Sequence, residues 1–250
     1  MILKKWEEIP NEIKNEYTYN YYKKLENRKI SLILKRMFDL FFSIILIVLL
    51  SPLFIILSVW IKIDSKGPVF YRQERITRYN KAFKIFKFRT MVQDADKRGS
   101  LVTAKNDNRI TKVGKVIRKF RLDEIPQLIN IITGDMSFVG TRPEVKKYVD
   151  EYTDEMKATL LMPAGVTSYA SIKFRDEDLI ISKYIDEGET IDQIYIEKVL
   201  PHKMDYNLKY INEFSFGKDI AICIQTILAV TINKYKNKEE EKERKEEIKI

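Results

Sequence analysis

A chain of 250 residues with 45 Lys and Arg against 36 Asp and Glu carries a formal net charge of +9, and its 45% hydrophobic content suffices for one core or two small ones. A single cysteine, Cys223, excludes an intramolecular disulfide and a thiolate metal site, and a single histidine, His202, argues against histidine triads and multi-histidine metal centres. Acid–base or nucleophilic work therefore falls to carboxylates, Lys, Tyr or hydroxyls, and the positive charge suits nucleic acid, an anionic membrane surface or a phosphorylated substrate.

Residues 1–33 form an N-terminal arm in which Tyr mixes with both charges and no secretory pattern opens the chain; a surface helix or a loose arm is expected. From Leu40 to Ile61 no charge occurs over 22 residues, roughly 33 Å of helix and so of membrane length. A buried core helix is the alternative. Arg28, Lys29, Lys35 and Arg36 precede the segment, and Lys62, Lys66, Arg72 and Arg75 follow it. Balanced basic flanks suit a helix that enters the bilayer and returns to the same face, with a bend at Ser51-Pro52, where proline removes a hydrogen bond and Ser51 can satisfy a freed backbone group. A proline-kinked true span is the other reading.

Beyond it, GPVFYRQERI and KAFKIFKFRTM flank a turn at Arg78–Lys81 and read as a β-hairpin. Period two puts Phe83, Ile85, Lys87 and Arg89 on one face, which makes Lys87 and Arg89 either a phosphate clamp or a solvated basic edge. Residues 92–113 are polar and turn-rich and read as a long loop. Its Asp94-Ala95-Asp96 formally matches an acidic metal–nucleotide triplet, but no nucleotide-binding βαβ pattern surrounds it, so a solvated helix end is the favoured reading.

The chemistry-bearing stretch is RKFRLDEIPQLINIITGDMSFVGTRP, Arg118–Pro143. Asp123 and Glu124 stand side by side, Lys115, Arg118, Lys119 and Arg121 lie just upstream, and an apolar run with helical spacing follows until Gly134. Pro126 suits a first helical turn, so Asp123 is expected as the N-cap of a helix whose free N–H groups would favour phosphate oxygens. Glu144–Met162 is expected as one amphipathic helix ended by Pro163-Ala164-Gly165. GVTSYASIKFR then reads as a loop approached by a ligand. Helical pattern returns over Thr190–Asn212, interrupted near Pro201. Asp219–Ile232 reads as a core or interfacial helix too short to span a bilayer, and the charge run from Lys234 to Ile250 as a solvated tail.

Taken together and in order, KRMFDLFFSIILIVLLSPLFIIL, GPVFYRQERI, KAFKIFKFRTM, FRLDEIPQLINIITGDMSFVGTRP and MPAGVTSYASI resemble the bacterial sugar transferase family, over about Leu34–Ile232. The resemblance implies a monotopic phosphoglycosyl transferase that starts lipopolysaccharide, capsule, exopolysaccharide or glycoprotein glycan assembly. It implies a single α+β domain, mainly helical, over residues 34–233, with a re-entrant membrane helix at about 37–61, amphipathic interfacial helices and a small β-hairpin. The implied partners are a nucleotide diphosphate sugar, usually a UDP-sugar, and a polyprenyl phosphate such as undecaprenyl phosphate. UMP would leave, the site would face the cytoplasm at the bacterial inner membrane, and nucleic acid would play no part.

By position, the family's nucleophilic Asp is Asp123, and Mg²⁺ is associated with Glu124 of the dyad Asp123–Glu124. Arg142 matches the Arg of the family's SFVGPRP motif, with Thr141 in place of its first Pro. Lys87 and Arg89 match the basic positions of its FKxxKFRTM strand, and Arg118 and Arg175 complete the phosphate-binding set. Gly165, Thr167 and Ala170 keep register with its GITGWAQVNGR motif, and Ser51-Pro52 matches its helix-breaking pair. A homodimer stays open, as do the sugar and the glycan pathway. Two rival readings are a non-catalytic scaffold binding anionic lipid, and a membrane-anchored nucleic-acid binder, which lacks a recognition module.

Overall fold

The computed structural model describes residues 2–95, 107–174, 181, 184 and 190–229. Helix α1 spans Glu16–Glu26, capped by Asn15, whose side chain accepts from the Thr18 N–H. The residues before it run over the surface but are tied down by two buried side chains. Ile9 and Ile13 are buried together with Tyr22 and Leu25 of α1 in the largest apolar cluster, because this arm places an apolar residue on the domain at each turn.

Helix α2 covers Lys29–Asp64 and is the one described helix long and apolar enough to cross a membrane; only 11% of its most apolar window is buried. It is longer than the 37–61 expected, and Ser51-Pro52 does not end it. Pro52 has no N–H to give Val48, four residues back, and the Ser51 hydroxyl donates to that same Val48 carbonyl at 2.8 Å, so the helix runs on. One stripe of α2 packs inward: Leu46, Ile47 and Leu50 on one apolar cluster, Leu53, Phe54, Leu57 and Ile61 on another. The opposite stripe, including Phe41, Val48, Leu49, Ile55 and Ile63, is apolar and exposed.

The hairpin forms as expected, β1 at Phe70–Thr77 pairing antiparallel with β2 at Lys81–Phe88 from Phe70↔Phe88 to Thr77↔Lys81. Its turn passes through Tyr79 and Asn80 at positive φ. Met91 bridges Ile110, and α3, Lys112–Lys119, takes the end of what reads as loop; Thr111 caps it by accepting from the Gly114 N–H. Part of that loop, with Asp96, lies outside the described residues. Helix α4 follows at Gln127–Thr133 and ends, as expected, on Gly134 at φ +86.

A second sheet does not show in the sequence pattern. Strand β3, Met136–Val139, pairs in parallel with β4, Ala164–Thr167, so GVT is strand rather than loop. Gly140 and Gly165 make that pairing feasible, since a Cβ on Gly165 would stand 2.2 Å from the Gly140 nitrogen and one on Gly140 would stand 2.3 Å from the Pro163 carbonyl oxygen. The helix expected over Glu144–Met162 is also corrected: only α5, Lys146–Val149, and a 3-10 turn, Met156–Leu161, form there. Glu144 is buried in a polar pairing instead of starting a helix, and Val145, Tyr148, Val149 and Tyr152, then Ala158, Leu160 and Leu161, are buried on both sides of a turn.

After β4 come α6, Tyr169–Lys173, and α7, Ile191–Ile194, the latter begun by a capping box at Thr190. A π-turn at Tyr195–Val199 leads into α8, Leu200–Asn212, with Pro201 in its first turn. The irregularity thus sits just ahead of Pro201, where the expected interruption falls. Helix α9 occupies 216–229. The charged tail from Lys234 lies outside the described residues.

A buried polar network fastens α2 to this frame. The Lys35 ammonium, 2% exposed, donates to the Val139 carbonyl at 2.7 Å and pairs with Asp219 of α9 at 2.6 Å, while Tyr210 donates to the other Asp219 oxygen. Asp39 accepts from the Ser137 hydroxyl and the Phe138 N–H. Both contacts fall on β3, the strand that leads into Arg142.

Candidate active site

The dyad owes its presentation to its neighbours. Arg121 adopts the left-handed conformation at φ 56 and reverses the chain after α3, and Leu122–Glu124 form a 3-10 turn. Leu122 packs with Phe88, Val113 and Ile117, and Ile125 packs with Phe83 and Leu128. The two carboxylates between them are thereby held at the seam of two apolar clusters. Asp123 is not the N-cap of α4, as expected from the sequence; Pro126 occupies that position and no side chain caps the helix. Positive charge around the dyad comes from side chains rather than from a helix end.

Those side chains arrive from separate elements. Glu124 Oε1 lies 3.5 Å from Lys87 Nζ on β2, 3.7 Å from Arg142 Nη2 after β3, and 3.9 Å from Arg121 Nη1 on the turn itself. Burial works against the Glu124 charge, but Arg142, Lys87 and Arg121 outweigh it and hold the carboxyl below its ordinary pKa. Burial together with the Glu124 charge raises Asp123, against the pull of Lys87 and Arg118. Adjacent carboxylates are thus driven in opposite directions, the pattern of a site in which two acids take different roles. Burial lowers Lys87, opposed by Glu124.

Each cation has a support. Asn130 of α4 accepts from the Phe86 N–H at 2.8 Å and donates to the Lys84 carbonyl at 3.1 Å, so its amide completes the free edge of β2 one residue before Lys87. Arg118 Nε donates to the Thr90 hydroxyl at 2.8 Å. Arg75 donates to the Pro143 carbonyl at 3.2 Å and to Gln73, steadying the segment that carries Arg142. The Gly165 N–H donates to the Thr141 carbonyl at 2.8 Å, so a β-bridge holds the loop where Thr141 stands. Just past it Glu144, buried, accepts from Tyr195 at 2.6 Å and lies 3.3 Å from the Lys203 ammonium.

Lys87, Arg118, Arg142, Asp123 and Glu124 therefore gather as expected. Arg89 does not. It lies past the end of β2, 5% exposed, and donates to the Ser65 carbonyl and hydroxyl at 2.7 and 3.0 Å, tying the end of α2 to the hairpin. The two-residue period that groups it with Lys87 holds only within the strand, which ends at Phe88. Arg175 lies outside the described residues. Sequence reasoning overlooks Asn130 and Arg75: both are ordinary polar residues in their segments, and only the tertiary pairing gives them their partners.

The sequence pattern of the family described as bacterial sugar transferase matches residues 30–233. The chain belongs to the bacterial sugar transferase family. A UDP-N-acetylgalactosamine-undecaprenyl-phosphate N-acetylgalactosaminephosphotransferase of Aeromonas hydrophila is 34% identical over 200 residues, 79% of this chain and 43% of that protein. An undecaprenyl-phosphate galactose phosphotransferase of Salmonella typhimurium is 37% identical over 220 residues, 81% of this chain and 41% of that one. This sugar transferase chain thus spans about two fifths of the length of these relatives. An uncharacterized sugar transferase of Bacillus subtilis is 32% identical over 202 residues and is covered over 89% of its length.

Proposed function

We propose that this protein transfers a sugar 1-phosphate from a nucleotide diphosphate sugar, a UDP-sugar, to polyprenyl phosphate, with undecaprenyl phosphate as the acceptor. It would act as the first membrane step of a bacterial glycan pathway. The observation that carries the reading is the dyad itself: a partly buried Asp123 with raised pKa beside Glu124, which is ringed at 3.5–3.9 Å by cations from three segments. Phosphoryl transfer asks the protein mainly for in-line placement and for neutralisation of oxygens, and preset cations supply the second without reorganising during the reaction.

An Asp123 carboxylate oxygen attacks the β-phosphorus of the donor. The bond from that phosphorus to the bridging oxygen breaks, UMP departs with the electron pair, and an aspartyl phosphosugar remains. A polyprenyl phosphate oxygen then attacks the same phosphorus and returns Asp123 as carboxylate, leaving a polyprenyl diphosphate sugar. Raised basicity makes Asp123 a better nucleophile than an exposed carboxylate. Lys87, Arg118 and Arg142 hold the phosphate oxygens; Arg175 is assigned to this set by the family motif alone.

Among the described residues no three acidic, His or Cys side chains converge. Mg²⁺ is commonly held by one or two carboxylates plus substrate phosphates, so the pair Asp123 and Glu124 fits an ion that arrives with the donor. Bound there, it would neutralise charge on the diphosphate.

The membrane reading is supported by α2. Its exposed stripe is apolar along its length, yet both of its ends are tied to the same body: Lys35 and Arg36 to Val139, Ile131 and Ile132 near its start, Asp64 to Val113 at its end. A helix anchored at both ends to one domain argues against a simple span and for a segment held on one face of the bilayer, with the site on the cytoplasmic side of the inner membrane. Its relatives are named for transfer of N-acetylgalactosamine, glucose and galactose phosphates, so the donor sugar must be found by assay. With undecaprenyl phosphate and Mg²⁺, one donor from a panel of UDP-sugars is expected to yield lipid-dependent UMP, abolished by Asp123→Asn and strongly reduced by Glu124→Gln. UMP release that survives Asp123→Asn, or a folded, membrane-bound preparation inert to every nucleotide sugar, would count against this function.

A further inference from the structure

We infer that Glu144 is a positioning residue for the transfer: anchored by Tyr195 and Lys203, it fixes the segment from which Arg142 meets the dyad and the donor phosphates. The inference rests on the function proposed above and concerns how that function's phosphate-holding arginine is kept in place. Arg142, Pro143 and Glu144 are consecutive and reach three different places. Arg142 Nη2 lies 3.7 Å from Glu124 Oε1. The Pro143 carbonyl accepts from Arg75 at 3.2 Å and the Glu144 carbonyl from the Ile76 N–H at 2.9 Å, so the backbone is laid along β1. The Glu144 side chain, 6% exposed, turns instead to the C-terminal part of the chain. Its Oε1 accepts from the Tyr195 hydroxyl and stands beside Lys203, whose ammonium also donates to the Tyr195 oxygen at 2.7 Å. A shift of this carboxylate is passed to Arg142 through the intervening Pro143, whose fixed φ stiffens the link.

The anchor depends on an irregular turn. Tyr195 and Lys203 stand eight residues apart, and on a regular α-helix such residues diverge by about 80° around the axis. The π-turn at Tyr195–Val199 takes up that surplus, so that the hydroxyl and the ammonium meet at a single carboxylate oxygen. The Tyr148 ring packs on the Tyr195 ring at 4.5 Å between centroids, and its own hydroxyl donates to Asp192 at 2.7 Å, which steadies the tyrosine that holds Glu144. Burial works against the Glu144 charge, but Lys203, Tyr195, Arg75 and Arg142 outweigh it and hold the carboxyl below its ordinary pKa. A buried ion pair adds little net stability over an apolar filling of the same space. What this one supplies is a fixed charge: Arg142 is drawn by both Glu124 and Glu144, and the balance between them sets where its guanidinium meets a phosphate.

The test is a double-mutant cycle on UMP release by the full chain, with undecaprenyl phosphate, Mg²⁺ and the UDP-sugar that serves wild type as donor. Glu144→Gln and, as the variant that deletes one hydroxyl only, Tyr195→Phe are each made alone and together with Arg142→Ala, and each is checked by thermal unfolding. Both are expected to lower kcat, by about 10²-fold for Glu144→Gln and by less for Tyr195→Phe, with KM for the donor little changed. In the Arg142→Ala background neither is expected to lower it further. If Glu144→Gln does not fold, Tyr195→Phe decides. Losses that multiply with that of Arg142→Ala, a loss carried by KM alone, or folded variants with wild-type kcat would overturn the inference while leaving the transfer reading intact. Wild-type protein that releases no UMP from any donor would overturn the transfer reading, and this inference with it.

Discussion

At the scale of single residues, Lys87 and Arg89 part company although they stand two positions apart in a basic strand. Lys87 reaches Glu124 at 3.5 Å; Arg89 donates to the Ser65 backbone. Lys87→Ala should lower UMP release by on the order of 10²–10³ with little change in thermal unfolding, as when one preset electrostatic donor is removed from an active site. Arg89→Ala should do the reverse, costing about 1–3 kcal/mol of stability because a partly buried carbonyl loses its donor, while folded protein keeps most of its rate. Paired unfolding and UMP measurements check both, and a catalytic loss confined to Arg89→Ala would reverse the assignment. The sequence makes the dyad legible because two adjacent carboxylates amid cations, before a proline and an apolar run, are informative by themselves. It misassigns Asp123 as a helix cap because that inference uses only local rules, whereas Arg121 in the left-handed region and the burial of Leu122 and Ile125 in different clusters delay the helix to Gln127.

Among elements, those whose cause is local were readable: the hairpin, the stop at Gly134 and the irregularity before Pro201; the helix running on through Pro52, where a bend is expected, was not. Nor was the β3–β4 pair, since two four-residue strands 28 positions apart, Met136 against Ala164, carry no periodic signal and depend on the close approach of Gly140 and Gly165. The same holds for the network that seats α2 on β3. Lys35→Met should destabilise the protein by about 3–5 kcal/mol, because it strands the buried Asp219 charge, and should slow transfer by loosening the strand that leads to Arg142. The double substitution Lys35→Met with Asp219→Leu should recover part of that stability, an interaction energy a double-mutant cycle measures directly. Additive losses would mean that the two side chains are not coupled.

For the molecule as a whole, the arm that precedes the family match is part of the fold. Ile9, Ile13, Tyr22 and Leu25 are buried, the Lys4 N–H donates to the Tyr79 hydroxyl at the hairpin tip, and Arg28 donates to the carbonyls of Asn212 and Phe214 at the end of α8. Removing residues 2–26 should therefore lower the melting temperature markedly or cause aggregation, because buried apolar groups of this size contribute about 1.5–3 kcal/mol each; unchanged melting of the truncated chain would contradict that role. The exposed apolar stripe of α2 lies on the same body as the carboxylate pair, the arrangement that the proposed transfer between a membrane lipid and a water-soluble donor requires.

The most direct test is the intact mass of the protein after exposure to its UDP-sugar and Mg²⁺ with no lipid acceptor. The account predicts one phosphosugar adduct on Asp123, formed with stoichiometric UMP and lost when undecaprenyl phosphate is added. UMP that appears only once lipid is present, with no adduct under donor alone, would contradict it.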